Sequence, residues 1–268
     1  MKRFAWACLV WLAASPAHAY LIDLNDARAV APGTMELELQ PCGYTQTLLG
    51  AEEHYLVAPS YQWYLGLAED WDVLYVARGY VLLDDDPEAS PYSYGEQFVA
   101  LRRVLVNGTY NDEALEGPSL AVQMGMYLPG VEAETGLGAS LAILFAWRGD
   151  PGTIHANCWL NYTQDQTFDV FTSIAYEGPD SWTVRPWAEL YVDVDDGEPY
   201  VSGLVGAYWT VTDEFGLQGG VRVGGWEDYA DLEVRLSSWI YWELVPQDDD
   251  EEEGEEGADE GADDEGEA

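Results

Sequence analysis

Between Ser181 and Asp196 the chain alternates two kinds of side chain. Thr183, Arg185, Trp187, Glu189, Tyr191, Asp193 and Asp195 take one set of alternate positions, and Trp182, Val184, Pro186, Ala188, Leu190, Val192 and Val194 take the other. Guanidinium, carboxylate, indole and phenol at a spacing of two can share one face of a β-strand, because successive side chains leave a strand on opposite sides. Related sets recur at Glu96 and Arg102, Trp159, Asp169, Arg222, and Asp231, Glu233 and Arg235, with Tyr64 and Tyr241 as further rings. Two kinds of chemistry suit them. Arginines and carboxylates on neighbouring strands can zip a polar interior together. They can also line a path, where charge sets ionic preference and aromatic faces give apolar solutes a surface. Arg185 and Glu189 are four residues apart, about 13 Å along a strand, so each is expected to pair with a neighbouring strand rather than with the other.

Other chemistries are poorly served. A lipid-facing Ser–His–Asn hydrolase set would need its histidine on the apolar face. His155 and Asn157 instead share a face with Trp159 and Asn161, and His54 has no clear partner. No enzyme and no cofactor is expected. Cys42 and Cys158, with the same two histidines, make no zinc pattern. Cys158 falls on the apolar face, and unpaired thiols are expected. The runs Asp84–Asp86, Asp193/Asp195/Asp196 with Glu198, and the C-terminal tail offer oxygen ligands without EF-hand spacing, consistent with no more than weak divalent-cation binding.

These residues need elements to hold them. From Thr34 to Val245 the sequence reads as about twelve strands: 34–41, 54–67, 71–83, 94–106, 118–129, 136–148, 152–163, 166–177, 181–194, 199–212, 215–226 and 230–245. Compact turns at 67–73, 148–152, 177–181 and 211–217 alternate with the connections 41–53, 84–93, 130–135, 163–166, 193–199 and 225–229. That places the compact turns at one end of the molecule. The segment 107–117 would be a long turn at that same end.

Residues 1–19 read as a secretory signal peptide: a basic start, an apolar run too short to span a bilayer, and Ala17-His18-Ala19 as cleavage site. Residues 20–33 form a leader, 34–245 the folded part, and 246–268 a tail of Asp, Glu, Gly and Ala, expected to be disordered. The formal net charge of −40 excludes nucleic acid, and binding to anionic lipid through a basic patch.

One face of each strand is spared charge and carries aromatics near its ends: Trp63, Trp71, Trp147, Tyr162, Tyr176, Trp182, Trp209 and Trp242. Rings of this kind belong at the two boundaries of a bilayer. A secreted soluble β-barrel or sandwich, with the aromatics in its core, is the alternative. The expected fold is therefore all-β, an antiparallel transmembrane β-barrel of about twelve strands.

The spans 31–39 (Ala-Pro-Gly-Thr-Met-Glu-Leu-Glu-Leu), 94–102 (Tyr-Gly-Glu-Gln-Phe-Val-Ala-Leu-Arg), 117–130 (Gly-Pro-Ser-Leu-Ala-Val-Gln-Met-Gly-Met-Tyr-Leu-Pro-Gly) and 210–218 (Thr-Val-Thr-Asp-Glu-Phe-Gly-Leu-Gln) resemble outer-membrane barrels of the MetA-pathway-of-phenol-degradation, transporter-like family. The resemblance runs from about Ala31 to Leu244 and rests on strand-and-turn patterns. It implies a bacterial outer-membrane barrel in contact with lipid, admitting small and often hydrophobic or aromatic molecules, with a periplasmic tail. It supplies no catalytic motif. Such barrels commonly end on an aromatic residue, whereas here Trp242 and Leu244 are followed by the acidic tail. The expected lumen-lining residues are Glu96, Arg102, Trp159, Asp169, Arg185, Trp187, Glu189, Tyr191, Arg222, Glu233 and Arg235. A non-transporting structural barrel is the competing role.

Overall fold

The computed structural model describes residues 26–49, 54–82, 93–111, 114–129 and 136–244. The expected signal peptide, the acidic tail and the Asp84–Asp86 run lie outside them. So do the side chains of Cys42, His54 and Glu96.

Thirteen strands follow in order: β1 (Thr34–Leu49), β2 (His54–Ala68), β3 (Trp71–Leu82), β4 (Ser93–Val106), β5 (Thr109–Asn111), β6 (Ala114–Leu128), β7 (Gly138–Gly149), β8 (Gly152–Tyr162), β9 (Phe168–Glu177), β10 (Val184–Asp195), β11 (Glu198–Thr212), β12 (Phe215–Trp226) and β13 (Tyr229–Glu243). Every pairing is antiparallel. β1 pairs with β13 and β4 pairs with β6, so twelve long strands close into a barrel without an edge. Among the described residues there is no helix.

The differences from the sequence reading have local causes. β1 continues to Leu49 because a slip in register against β13, between Leu39 and Cys42, absorbs Gln40 and Pro41, after which Gly43 pairs with Arg235. The segment read as a long turn after β4 instead contains β5, a short hairpin with the beginning of β6. β10 starts at Val184, after a turn closed by the Trp182 amide donating to the Pro179 carbonyl at 3.0 Å. The connection after β10 is only Asp196-Gly197, both at positive φ (47° and 86°), the Asp-Gly pair that tight hairpins favour.

Burial separates the two faces. β7 and β9 alternate buried and exposed along most of their length. The interior-facing residues are mainly polar, while the exposed face carries Met124, Ile143, Leu160, Ile174, Leu190, Val205, Val223 and Leu236. A soluble barrel would show the reverse, so the soluble alternative fails here. From Val184 to Val194 the apolar face of β10 runs about ten residues, roughly 33 Å along the strand and about 25 Å along the axis at a tilt of ~40°. That is the height of a transmembrane barrel's apolar band. Trp147, Tyr176, Trp182, Trp209 and Trp242 mark its edge at the end where β1 begins and β13 finishes. Tyr162 and Phe168, 5.3 Å apart, and Trp226 mark the other. Cys158 is exposed on this outer face as a free thiol, as its alternation predicts.

Candidate functional site

At the end where β1 begins and β13 finishes, the barrel interior opens into a vestibule of about 770 Å³. Its wall is built from inward positions of successive strands: Glu36 and Glu38 on β1, Tyr64 on β2, Arg102 on β4, His155 on β8, Trp187 on β10, Tyr208 on β11, and Trp239 and Tyr241 on β13. The leader residues Asp26–Pro32 form part of the same wall.

The leader is held at this mouth by its backbone and by two arginines. The Gly33 amide donates to the Gly66 carbonyl at 3.1 Å, and the Leu244 amide donates to the Gly33 carbonyl at 2.9 Å. Gly66 is required there, since a Cβ at this position would lie 1.9 Å from the Ala31 carbonyl oxygen. Asp72 accepts from the Val30 amide at 2.9 Å and from Arg102 Nε at 3.0 Å. Arg102 in turn donates to the Asp26 carbonyl at 2.7 Å. Arg148 pairs with the Asp26 carboxylate, and its Nη1 donates to Ser119 Oγ at 3.1 Å. Burial pushes the Asp26 carboxyl upward, but Arg148, His155 and Arg28 together outweigh it and hold the group well below the usual carboxylate range.

His155 lies in this network, with Nε2 3.2 Å from Glu177 Oε2 and Nδ1 3.9 Å from Asp26 Oδ1. It faces the vestibule and not lipid, so it cannot serve a lipid-facing hydrolase set. Arg185 bonds Glu177 at 2.6 Å and Asp180 at 2.5 Å, while Glu189 sits further along β10. The expected neighbouring-strand pairing of Arg185 is what forms.

Further along the axis the interior fills. Arg222 and Glu233 face each other in register across β12 and β13 and meet at 2.6 Å. Arg235 grips both oxygens of the same carboxylate, at 2.5 and 2.9 Å. Arg222 donates to the Tyr191 hydroxyl at 2.6 Å, and the Tyr200 hydroxyl donates to Asp231 at 2.6 Å. Arg222, Asp231 and Glu233 are at most 1% exposed. On the opposite wall Phe98, Tyr127 and Trp159 pack together, with ring centroids 4.8 and 6.1 Å from Phe98. Phe171, Tyr191 and Tyr200 form a second run, at 5.0 and 5.8 Å. Small residues make room for these rings. A Cβ on Gly125 would meet the Phe98 ring at 2.3 Å, and one on Gly224 would meet the Tyr200 hydroxyl at 2.0 Å. Asp169 accepts from Asn161 at 2.7 Å in the same buried layer.

The structure therefore brings Arg102, Arg185 and Trp187 to the vestibule. Trp159, Asp169, Glu189, Tyr191, Arg222, Glu233 and Arg235 lie in the filled interior. Glu96 has its backbone in β4, with its side chain outside the described residues. Sequence reasoning missed Asp26, Asp72, Arg148, Glu36, Glu38 and Trp239. The Glu-Leu-Glu-Leu alternation at 36–39 carried the signal for two of them. Among the described residues no cluster of His, Cys, Asp or Glu is arranged to hold a metal ion; Asp195, for example, instead accepts from Thr167 at 3.1 Å.

No family model and no curated protein matches the chain. Solved structures do. The COG4313 outer membrane channel from Pseudomonas putida F1 superposes with a TM-score of 0.60 at 10% identity, covering 82% of this chain and 100% of that one. The KdgM porin gives 0.46 at 8% identity over 76% and 98% of the two chains. The CymD monoaromatic hydrocarbon channel gives 0.43 at 9% over 79% and 88%. At such identities the likeness to the Pseudomonas putida channel is one of fold: this chain is a closed antiparallel barrel of the same architecture.

Proposed function

We propose that the protein is a passive outer-membrane channel for small solutes, aromatic ones included, and that they move along ring faces instead of through a wide water-filled pore. The observation that carries this reading is the open vestibule, walled by Tyr64, Trp187, Tyr208, Trp239 and Tyr241 and narrowing into the filled interior. There Phe98, Tyr127, Trp159, Phe171 and Tyr191 are buried beside the Arg222–Glu233–Arg235 belt. Twelve strands enclose more space than these side chains would need in a narrower barrel, so the filling is a property of the residues chosen. The expected lining divides by role. Trp187, Trp159 and Tyr191 offer faces, the belt with Asp169 and Glu189 sets charge preference, and Arg102 and Arg185 position the mouth. The fold likeness and the family resemblance support passage across the outer membrane. The nearly complete burial of Arg222, Asp231 and Glu233 favours the second reading, a barrel that transports nothing.

Swelling of liposomes bearing the full chain separates these readings. Phenylalanine, a membrane-impermeant aromatic, is expected to enter faster than the smaller arabinose. Rates ordered by size alone would indicate an ordinary aqueous pore, and no entry of any solute would indicate a structural barrel. Ionic current is expected to prefer cations, because carboxylates outnumber arginines in the vestibule wall. An anion-selective reversal potential in a salt gradient contradicts that preference.

A further inference from the structure

We infer that the vestibule holds a binding site for a small organic ammonium ion, built by Glu36, Glu38, Trp239 and Tyr241. The inference rests on the vestibule being open to water at that end, and not on passage through the barrel.

The register places these residues as a patch. Glu36 lies opposite Tyr241 and Glu38 opposite Trp239 across β1 and β13, and all four line the cavity. On the other side of β1 the neighbours are Tyr64 and Gln62. Glu38 is fixed by two amides, Gln218 Nε2 at 3.0 Å and Gln62 Nε2 at 3.3 Å, which orient the carboxylate without balancing its charge. Among the described residues neither Glu36 nor Glu38 has an arginine within ion-pair distance. Of the four arginines of the wall, Arg102 is engaged by Asp72, Arg148 by Asp26, and Arg185 by Glu177 and Asp180, while Arg28, 3.9 Å from Asp26, acts on Glu36 from beyond ion-pair distance.

The aromatic rings show the same asymmetry. Arg102 sits 5.1 Å from the Tyr64 ring and Arg185 5.3 Å from the Tyr208 ring, while Arg222 lies 5.8 Å from Tyr191. Trp239 and Tyr241, among the described residues, have no such cation beside them. Trp239 is also specifically accommodated, since a Cβ on Gly216 would lie 2.3 Å from its ring nitrogen. One acceptor on a buried side chain next to this patch, Gln218 Oε1 on the amide that holds Glu38, is unpartnered among the described residues. Carboxylates with no guanidinium in direct contact, set beside aromatic faces, are the chemistry that recognises ammonium groups. The volume of about 770 Å³ lies in the range of small-molecule sites.

The test is isothermal titration of the full chain in nonionic detergent with benzyltrimethylammonium, and with benzyl alcohol and benzenesulfonate as neutral and anionic counterparts. The ammonium is expected to bind saturably and about tenfold or more tighter than either counterpart. The Glu36→Gln/Glu38→Gln double variant is expected to lose that advantage, and Trp239→Leu to lose part of it. Equal affinity for the three probes, or undiminished ammonium binding by a folded double variant, overturns the site. The comparison of probes uses the unaltered protein and stands where a variant does not fold. A barrel that binds ammonium yet passes no solute retains this site and loses the channel reading. A barrel that passes phenylalanine but shows no ammonium preference loses the site alone.

Discussion

Glu233→Ala is expected to lower the stability of the barrel by about 3–5 kcal/mol, read as a shift in its urea unfolding midpoint in lipid or detergent. The carboxylate serves two guanidinium groups at once, Arg222 at 2.6 Å and Arg235 at 2.5 and 2.9 Å, and all three residues are buried. Removing it leaves two positive charges inside the barrel with their shared partner gone. The loss is dominated by that unpaired charge, more than by the bonds themselves. A fourfold replacement, Arg222→Met, Asp231→Asn, Glu233→Leu and Arg235→Met, also removes the Asp231 charge 3.9 Å from Arg222 and is expected to cost far less than the single change. A single variant no less stable than the fourfold one would show that the belt is not a mutually dependent set.

Asp26→Arg is expected to release the leader from the barrel mouth. It would set a cation against Arg148 and close to Arg28 and His155, where the natural carboxylate accepts from Arg148 and lies 3.9 Å from each of the other two. A nitroxide label at Ala29 is expected to change from immobile to mobile, and solute entry in the swelling assay to rise severalfold. Adding Arg148→Asp restores an opposite-charge pair and is expected to restore immobility. The effect of pH follows from the same contact. Because the folded-state pKa of Asp26 is depressed, the stabilisation is fully present above the ordinary aspartate value of about 4. It is lost only as pH falls through the much lower folded value. Docking should therefore be unchanged between pH 7 and pH 5. An Ala29 label that loosens over that range would contradict the Arg148–Asp26 clamp.

Much of the wall was legible because a strand face has a period of two and the outer face had to be apolar. Leu190 and Val192 against Glu189 and Tyr191 needed no partner to be sorted. Arg222 and Glu233 could be assigned to the interior in the same way. Their mutual contact depends on register, which one strand's sequence does not contain. β1 was read as 34–41 with a connection over 41–53, while the slip against β13 that accommodates Pro41 is a property of the pair. The leader was the least legible part. Asp26 follows no periodic pattern, and its partner Arg148 is 122 residues away. Gly66, Gly125, Gly216 and Gly224 each make room for a ring or for the leader backbone. Which ring fills which gap appears only once the barrel closes.

The barrel has a direction: an apolar outer face, a wall of β-strands, and a polar interior. Val205, Val221 and Val234 lie opposite one another on β11, β12 and β13 and form a row on the outer face. Nitroxide labels placed singly at these positions, and at Asp196 and Glu227 in the tight turns, can be probed in lipid vesicles with oxygen and with a water-soluble nickel chelate. The account predicts that the three valine positions are reached by oxygen and shielded from nickel, and that the two turn positions show the opposite. Nickel reaching the valine row as readily as the turns would contradict it.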